Sequence, residues 1–307
     1  ATVKPHLKHL ETAGLIRVVE WGTPLESGKK TKVTTVMRLW PVPVSIEPDP
    51  VWEESTRDDD GPLASQPYSP VVDEDVSDLT HAVLSRLLGH ASSPTESWRG
   101  ISPTTLAGRV FGLEHPNRVI DSLRTEFDRQ TLRKVGITNG GDKFRYGYHP
   151  VLIPWAEDGR YTYLYGRVSD GVEQDNKYQS LRRGATPDAF NIDLITHSPF
   201  VVLCEGMLDT LSVLDLGLPA IGLPSANPPS SGLVSRLAGK RVLVAFDGDT
   251  AGRVNSRATE GALRAAGLEV TTVPVPEGKD LNDLLIEDRE ALRALLVEAL
   301  GRLGWTD

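Results

Sequence analysis

The chain has 307 residues, with 33 Lys and Arg against 42 Asp and Glu, for a formal net charge of −9. That length suits two domains with buried cores, and no apolar run approaches about 18 residues, so a cytoplasmic protein with no membrane span is expected. The one cysteine, Cys204, excludes an internal disulfide and a cysteine-built zinc site, so no zinc is expected. The acidic sum argues against a nucleic-acid partner, but a cluster of metal-binding acids inflates such a sum, so local basic patches decide the matter.

Residues 4–14 read as a short helix with Leu7, Leu10 and Ala13 inward and Gly14 as its stop. Leu15 to Trp21 and Lys32 to Trp40 read as strands, joined by a polar loop carrying Lys29 and Lys30. Helix, strand, basic loop and strand, with His9-Leu-Glu-Thr-Ala-Gly-Leu-Ile16, resemble the back half of a winged helix. Residues 1–41 are therefore expected to form a partial winged-helix-like module, with duplex DNA as a candidate partner through residues 4–40. A small packing or dimerising domain is the other reading. Residues 42–76, rich in Pro, Asp, Glu and Ser, have linker composition.

Residues 77–124 form a helical region. Ser77-Asp78 caps a helix with Leu79, Val83, Leu84, Leu87 and Leu88 on one stripe, Ser102-Pro103 opens a second and Pro116-Asn117 a third. The last two read either as a helix-turn-helix or, preferably, as a helical support for the next subdomain. Residues 125–198 read as a small basic α+β subdomain. It has a helix over Phe127–Ile137, strands at Phe144–Tyr148, Val151–Trp155 and Tyr161–Val168, and a Glu157-Asp158-Gly159 hairpin turn. Arg167, Lys177, Arg182 and Arg183 fall here, a concentration of cations that suits a phosphate backbone or triphosphates.

From Phe200 strands and helices alternate, which argues a parallel sheet with helices on its faces. Strands are expected at Val201–Cys204, Pro219–Leu223, Arg241–Phe246 and Glu269–Val275, and a C-terminal helix at 291–307. Three acid groups follow these elements: Glu205-Gly206 with Asp209, Asp247-Gly248-Asp249, and Gly278-Lys279-Asp280. Strand ends are where such sheets hold ligands, and hard oxygen donors there favour Mg²⁺ or Mn²⁺.

These three motifs, with Ala251-Gly252 after the second, resemble the Toprim module in the form found in bacterial DnaG-type and phage primases. Phe127–Ile137, Ile153-Pro154, Gly166-Arg167, Lys177-Tyr178 and Ser180 are similar to the basic subdomain of that catalytic core. The resemblance covers about residues 125–290 and implies an α/β fold, with a Toprim-type parallel sheet at 199–290 flanked by helices. It implies metal binding by Asp247, Asp249 and Asp280, with Asp209 nearby, and a role for Glu205 as metal ligand or acid/base group. With Glu205, Asp247 and Asp249 at the chemistry, the resemblance places Arg167 and Lys177 on nucleotide or template; Arg182 and Arg183 are candidates to stand in for the family's missing basic element, and Lys279 is a further candidate for the same binding. The implied activity is primer synthesis from nucleoside triphosphates on single-stranded DNA, with a replicative helicase as a further candidate partner.

The sequence departs from that pattern in three places. A cysteine zinc module cannot be built, Asn191 to Ser198 replaces a His-Lys-Gly element before the Toprim strand, and Asn282 stands where an acid is common. A phage, plasmid or mobile-element primase is therefore expected rather than a full-length cellular one. A Toprim nuclease and a non-catalytic DNA-binding replication protein are the alternatives.

Overall fold

The computed structural model describes residues 16–24, 30–38, 74–173, 176–182, 187–224 and 228–305. The expected helix at 4–14, most of the linker at 42–76, and Arg183 lie outside the described residues. Two compact units are present, residues 1–59 and residues 60–307. In the first, β1 (Ile16–Pro24) pairs antiparallel with β2 (Lys30–Arg38), Ile16 opposite Arg38 and Pro24 opposite Lys30.

The second unit opens with α1 (Glu74–Gly89). It begins before Ser77, so Ser77-Asp78 lies inside the helix and does not cap it, yet Val83, Leu84, Leu87 and Leu88 are buried as the stripe predicts. α2 (Pro103–Leu106) is capped by Ser102, and α3 (Pro116–Glu126) buries Val119, Ile120 and Leu123. Between them the chain extends as β3 (Phe111–Gly112), which pairs with a strand of the following sheet. The segment between the helices pairs into the following sheet, which fits the helical-support reading rather than a helix-turn-helix. α4 (Arg129–Val135) is capped by Asp128 and ends at Gly136 in the left-handed conformation.

β4 (Val151–Glu157) and β5 (Arg160–Arg167) form the expected hairpin, with Asp158 and Gly159 both at positive φ as a tight two-residue turn requires. β6 (Tyr178–Ser180) adds at the edge and gives the antiparallel order β3-β4-β5-β6. The expected strand at Phe144–Tyr148 is absent. The His149 N–H donates to the Tyr146 carbonyl at 3.2 Å, so the chain turns there. A 3₁₀ helix (Ile192–His197) leads into the parallel sheet.

That sheet comprises β7 (Phe200–Cys204), β8 (Ala220–Gly222), β9 (Arg241–Ala245) and β10 (Glu269–Thr272), in the order β10-β9-β7-β8, all parallel. The connecting helices are α5 (Met207–Asp215), α6 (Ser231–Arg236) and α7 (Thr250–Ala265), and α8 (Leu281–Glu287) and α9 (Arg289–Gly301) close the chain. All five residues of β7 are buried, as a strand covered on both faces must be. Val202, Cys204 and Leu243 face one core with α9, and Val201, Leu203 and Val244 face a second with Leu263 of α7. Fully burying one such aliphatic side chain stabilises by roughly 1.5–3 kcal/mol. The two sheets share the larger core: Trp155 of β4 packs on Tyr163, Tyr165 and Phe190, and its indole N–H reaches the Met207 sulfur at 3.1 Å. Among the described residues no helix is long and apolar enough to cross a membrane.

Candidate active site at the switch point of the parallel sheet

The chain steps from β7 to β8 on one side, then returns through α6 to lay β9 on the other side of β7. Open parallel sheets bind ligands beyond their carboxyl ends at such a reversal. Glu205 directly follows β7, and Asp247 follows β9 after Phe246, with Cys204 in register with Ala245. The Asp247 N–H donates to Glu205 Oε2 at 3.2 Å, so both acids stand at one crevice.

The other acids arrive by helix capping. Asp249 caps α7, its Oδ1 accepting from the Gly252 N–H at 2.6 Å, and Asp280 caps α8, its Oδ1 accepting from the Asp283 N–H at 2.6 Å. The two loops are tied together where the Gly248 N–H donates to the Lys279 carbonyl at 2.8 Å. Position 248 must be glycine, since a Cβ there would stand 1.8 Å from the Pro276 carbonyl oxygen. Asp209, in the first turn of α5, is 8% exposed and accepts from the Asn282 N–H at 3.3 Å.

Three of these acids are raised by burial and by their neighbours' charges. Burial, then the charges of Glu205, Asp280, Asp249 and Asp283, push the Asp247 carboxyl up to about 7. Burial and the Asp249 charge raise Glu205, against the hydrogen bond from Asp247, and burial with the charges of Asp247 and Asp280 raises Asp209 well above the carboxylate range. Asp247 Oδ1 is also buried with no hydrogen-bond partner. A divalent cation relieves both the repulsion and that unmet oxygen, so the donor set fits a hard metal ion. Among the described residues no three acidic, His or Cys side chains already converge into a closed cage. Mg²⁺ needs none, because it binds through one or two carboxylates and keeps its waters.

The end of the basic sheet that carries Arg167 is joined to Asp209 through Asp170, Arg99 and Asn282. Arg167 pairs in register with Tyr178. Burial raises the Tyr178 phenol, Arg167 pulls it down, and the Asp209 charge adds to the rise. Arg167 is itself 7% exposed and spans the Trp98 and Tyr178 rings at 5.5 and 5.9 Å. It donates to Asp170 Oδ1 at 2.8 Å, and Asp170 also accepts from the Trp98 indole at 2.8 Å. Truncating Arg167 would therefore disturb packing as well as any bound anion. Lys177 is exposed, and Lys279 is paired on the surface with Glu287.

Arg145 and the role of Asn282 were not singled out from the sequence. Arg145, like Arg182, has a buried Nε without a partner, and both bring positive charge to the buried Tyr146 and Tyr163 phenols. Asn282, 2% exposed, accepts from Arg99 Nε at 3.1 Å and donates to the Arg99 carbonyl at 2.9 Å and to Ser212 Oγ at 3.0 Å. An acid could not donate, which explains the amide at that position. Arg99 also lies 3.6 Å from Asp170, so Asn282 links the acid crevice to the basic sheet.

The segment that carries these acids, residues 200–290, matches the family model described as "Toprim domain". Over 108 residues, 34% of this chain, the sequence is 32% identical to a DNA primase of Aquifex aeolicus (strain VF5). The match spans about a fifth (22%) of that relative's length. Over 134 residues it is 28% identical to the Gene 57 protein of Mycobacterium phage D29, 43% of this chain and 83% of that protein. The larger unit has the fold of the DnaG-type primase catalytic core. The zinc-binding and RNA polymerase domains of Aquifex aeolicus primase superpose with a TM-score of 0.61 at 23% identity, over 73% of this chain and 62% of that one. A DnaG primase catalytic domain bound to single-stranded DNA gives 0.61 at 18%, over 74% and 80%. The RNA polymerase domain of Mycobacterium tuberculosis DnaG gives 0.57 at 18%, over 73% and 83%.

Proposed function

We propose that this chain is a primase catalytic module, making short primers from nucleoside triphosphates on single-stranded DNA in the replication of a phage or other mobile element. The observation that carries this is the joining of the acid crevice to the Arg167 end of the basic sheet, within a DnaG-type fold. Similarity to a phage protein over 43% of the chain supports the setting. Glu205, Asp209, Asp247, Asp249 and Asp280 are the candidates to hold Mg²⁺ or Mn²⁺, which when bound would stabilise charge on the transferring phosphate and its leaving group. Lys177, Arg182 and Lys279, with Arg145 added, would neutralise triphosphate and template charge, and Arg167 would frame their pocket.

In the reaction the 3′-hydroxyl oxygen of one nucleotide bonds to the α-phosphorus of the next. The bond from that phosphorus to the bridging oxygen breaks, and pyrophosphate leaves. Glu205, whose carboxyl is raised by burial and the Asp249 charge, would take the hydroxyl proton. The test supplies labelled ribonucleotides, Mg²⁺ or Mn²⁺ and single-stranded DNA and looks for short oligomers, with Asp247→Ala and Asp249→Ala beside the parent. Oligomers lost in both variants support the reading. DNA cleavage without oligomers makes the chain a nuclease, and metal-independent binding with neither activity makes it a DNA-binding replication protein.

A further inference from the structure

Tyr148 is 81% exposed, the most exposed large hydrophobic side chain among the described residues. Its neighbours explain why it cannot turn inward. Tyr146, two residues before, is fully buried and its hydroxyl donates to the Leu164 carbonyl at 3.3 Å. His149, the next residue, is 4% exposed and its Nε2 lies 3.0 Å from the Asn176 carbonyl. Both pack onto Gly166 of β5, where a Cβ would stand 2.4 Å from the Tyr146 ring and 2.8 Å from the His149 carbonyl oxygen. The turn closed by the His149 N–H and the Tyr146 carbonyl thus has both ends pinned, and Tyr148 at its third position is held out into solvent.

The turn lies at a particular end of the sheet. Val151, three residues on, is in register with Arg167, and Arg167 with Tyr178, so Tyr148 stands at the end that carries Arg167. Arg145 lies three residues before it with an unpartnered Nε, and exposed Lys177 follows the Asn176 carbonyl that His149 meets. An exposed ring on a pinned turn, with the exposed Lys177 nearby in the fold, has the makings of a stacking platform for single-stranded nucleic acid. Cations track the backbone, and any base can lie on the ring. A turn already in place lowers the ordering cost of binding.

We propose that Tyr148 stacks an unpaired base of single-stranded DNA on its path to the acid crevice, which rests on the proposed primase reading and adds a specific contact to it. The ring supplies stacking that is tolerant of sequence, while Arg145 and Lys177 hold the flanking phosphates.

The test measures binding of the 307-residue chain to a fluorescein-labelled oligothymidylate of about 12 nucleotides by anisotropy, without metal or nucleotide. Tyr148→Ala and Tyr148→Leu are expected to weaken binding roughly 5- to 150-fold, the range for one lost stacked base. Tyr148→Trp keeps parental affinity, and its added indole emission is quenched by the oligomer. The salt dependence of Tyr148→Ala stays parallel to the parent, because stacking releases no counterions. Equal affinity of Tyr148→Ala and parent, or loss in Leu and Trp alike, overturns the platform. A parent that does not bind the oligomer at low salt overturns the platform and the template reading together. Weakened binding by Tyr148→Ala in a chain that makes no primers leaves the platform standing and removes only the primase.

Discussion

Asp247→Asn is expected to stabilise the metal-free protein while abolishing its proposed activity. The Asp247 carboxyl is pushed from 3.8 up to about 7, so ionising it in the folded state is costly. Three pH units correspond to about 4 kcal/mol, and since the group is only partly buried, solvent screening reduces that to about 2 kcal/mol. The sign follows from the direction of the shift. An acid whose folded value lies above its unfolded value costs no stability at low pH, loses stability as pH rises between the two values, and carries the full cost above the higher one. The amide escapes that cost, so near pH 8 the variant should melt roughly 4–8 °C above the parent without metal. At about pH 4 the two should melt together. Mg²⁺ should then raise the parent's melting temperature more than the variant's, because the variant lacks one of the carboxylates proposed to hold it. Thermal melts followed by circular dichroism across pH, with and without Mg²⁺, decide it. A variant less stable than the parent near pH 8, or a difference that does not change with pH, would refute the electrostatic reasoning.

Three other substitutions test the capping and packing around the crevice. Asp249→Asn keeps the side-chain oxygen that caps α7 and should fold with near-parental stability, whereas Asp249→Ala should lose about 1 kcal/mol in urea titration, with synthesis lost in both. Gly248→Ala forces a Cβ into the Pro276 carbonyl and should cost about 2 kcal/mol or more in the same titration, since backbone cannot move aside as a flexible side chain does. Asn282→Leu strands Arg99 and Ser212 without their partners and should cost about 3 kcal/mol, while Asn282→Asp keeps only the acceptor and should fall between Leu and parent. Equal losses in the two Asn282 variants would show that the oxygen accepting from Arg99 contributes nothing, and an Asn282→Asp protein as stable as the parent would show the same of the donated hydrogen bonds.

β7, β8 and β9 were legible because they are buried apolar runs with Gly or acid at or just past their ends. The same signal put Glu205, Asp247 and Asp249 just beyond strand ends. α8 went unread although its start signal was present: Asp280 caps it and Leu281, Leu284 and Leu285 supply the inward face. Its acidic cluster drew attention as a ligand set rather than as a helix terminus. Tyr146 and Tyr148 alternate as a strand would, but Gly147 between them permits a turn, and the pattern carries no sign of which occurs. The burial of Arg167 was hidden for another reason. Asp170 lies only three residues on, but its ring partners Trp98 and Tyr178 come from other segments, and the tertiary fold brings them together. Asn282 reads as a lost acid in sequence and becomes intelligible only beside Arg99.

Asp249 and Asp280 each commit one oxygen to the first turn of a helix. The second oxygen of each is clear of the cap. On the proposed metal reading, that oxygen would be the readier donor, and contact through one atom of each acid suits the compact, water-retaining Mg²⁺ better than Ca²⁺, which often takes a carboxylate by both oxygens. Helix capping at this crevice would then bias the choice of ion through the backbone rather than through an added ligand.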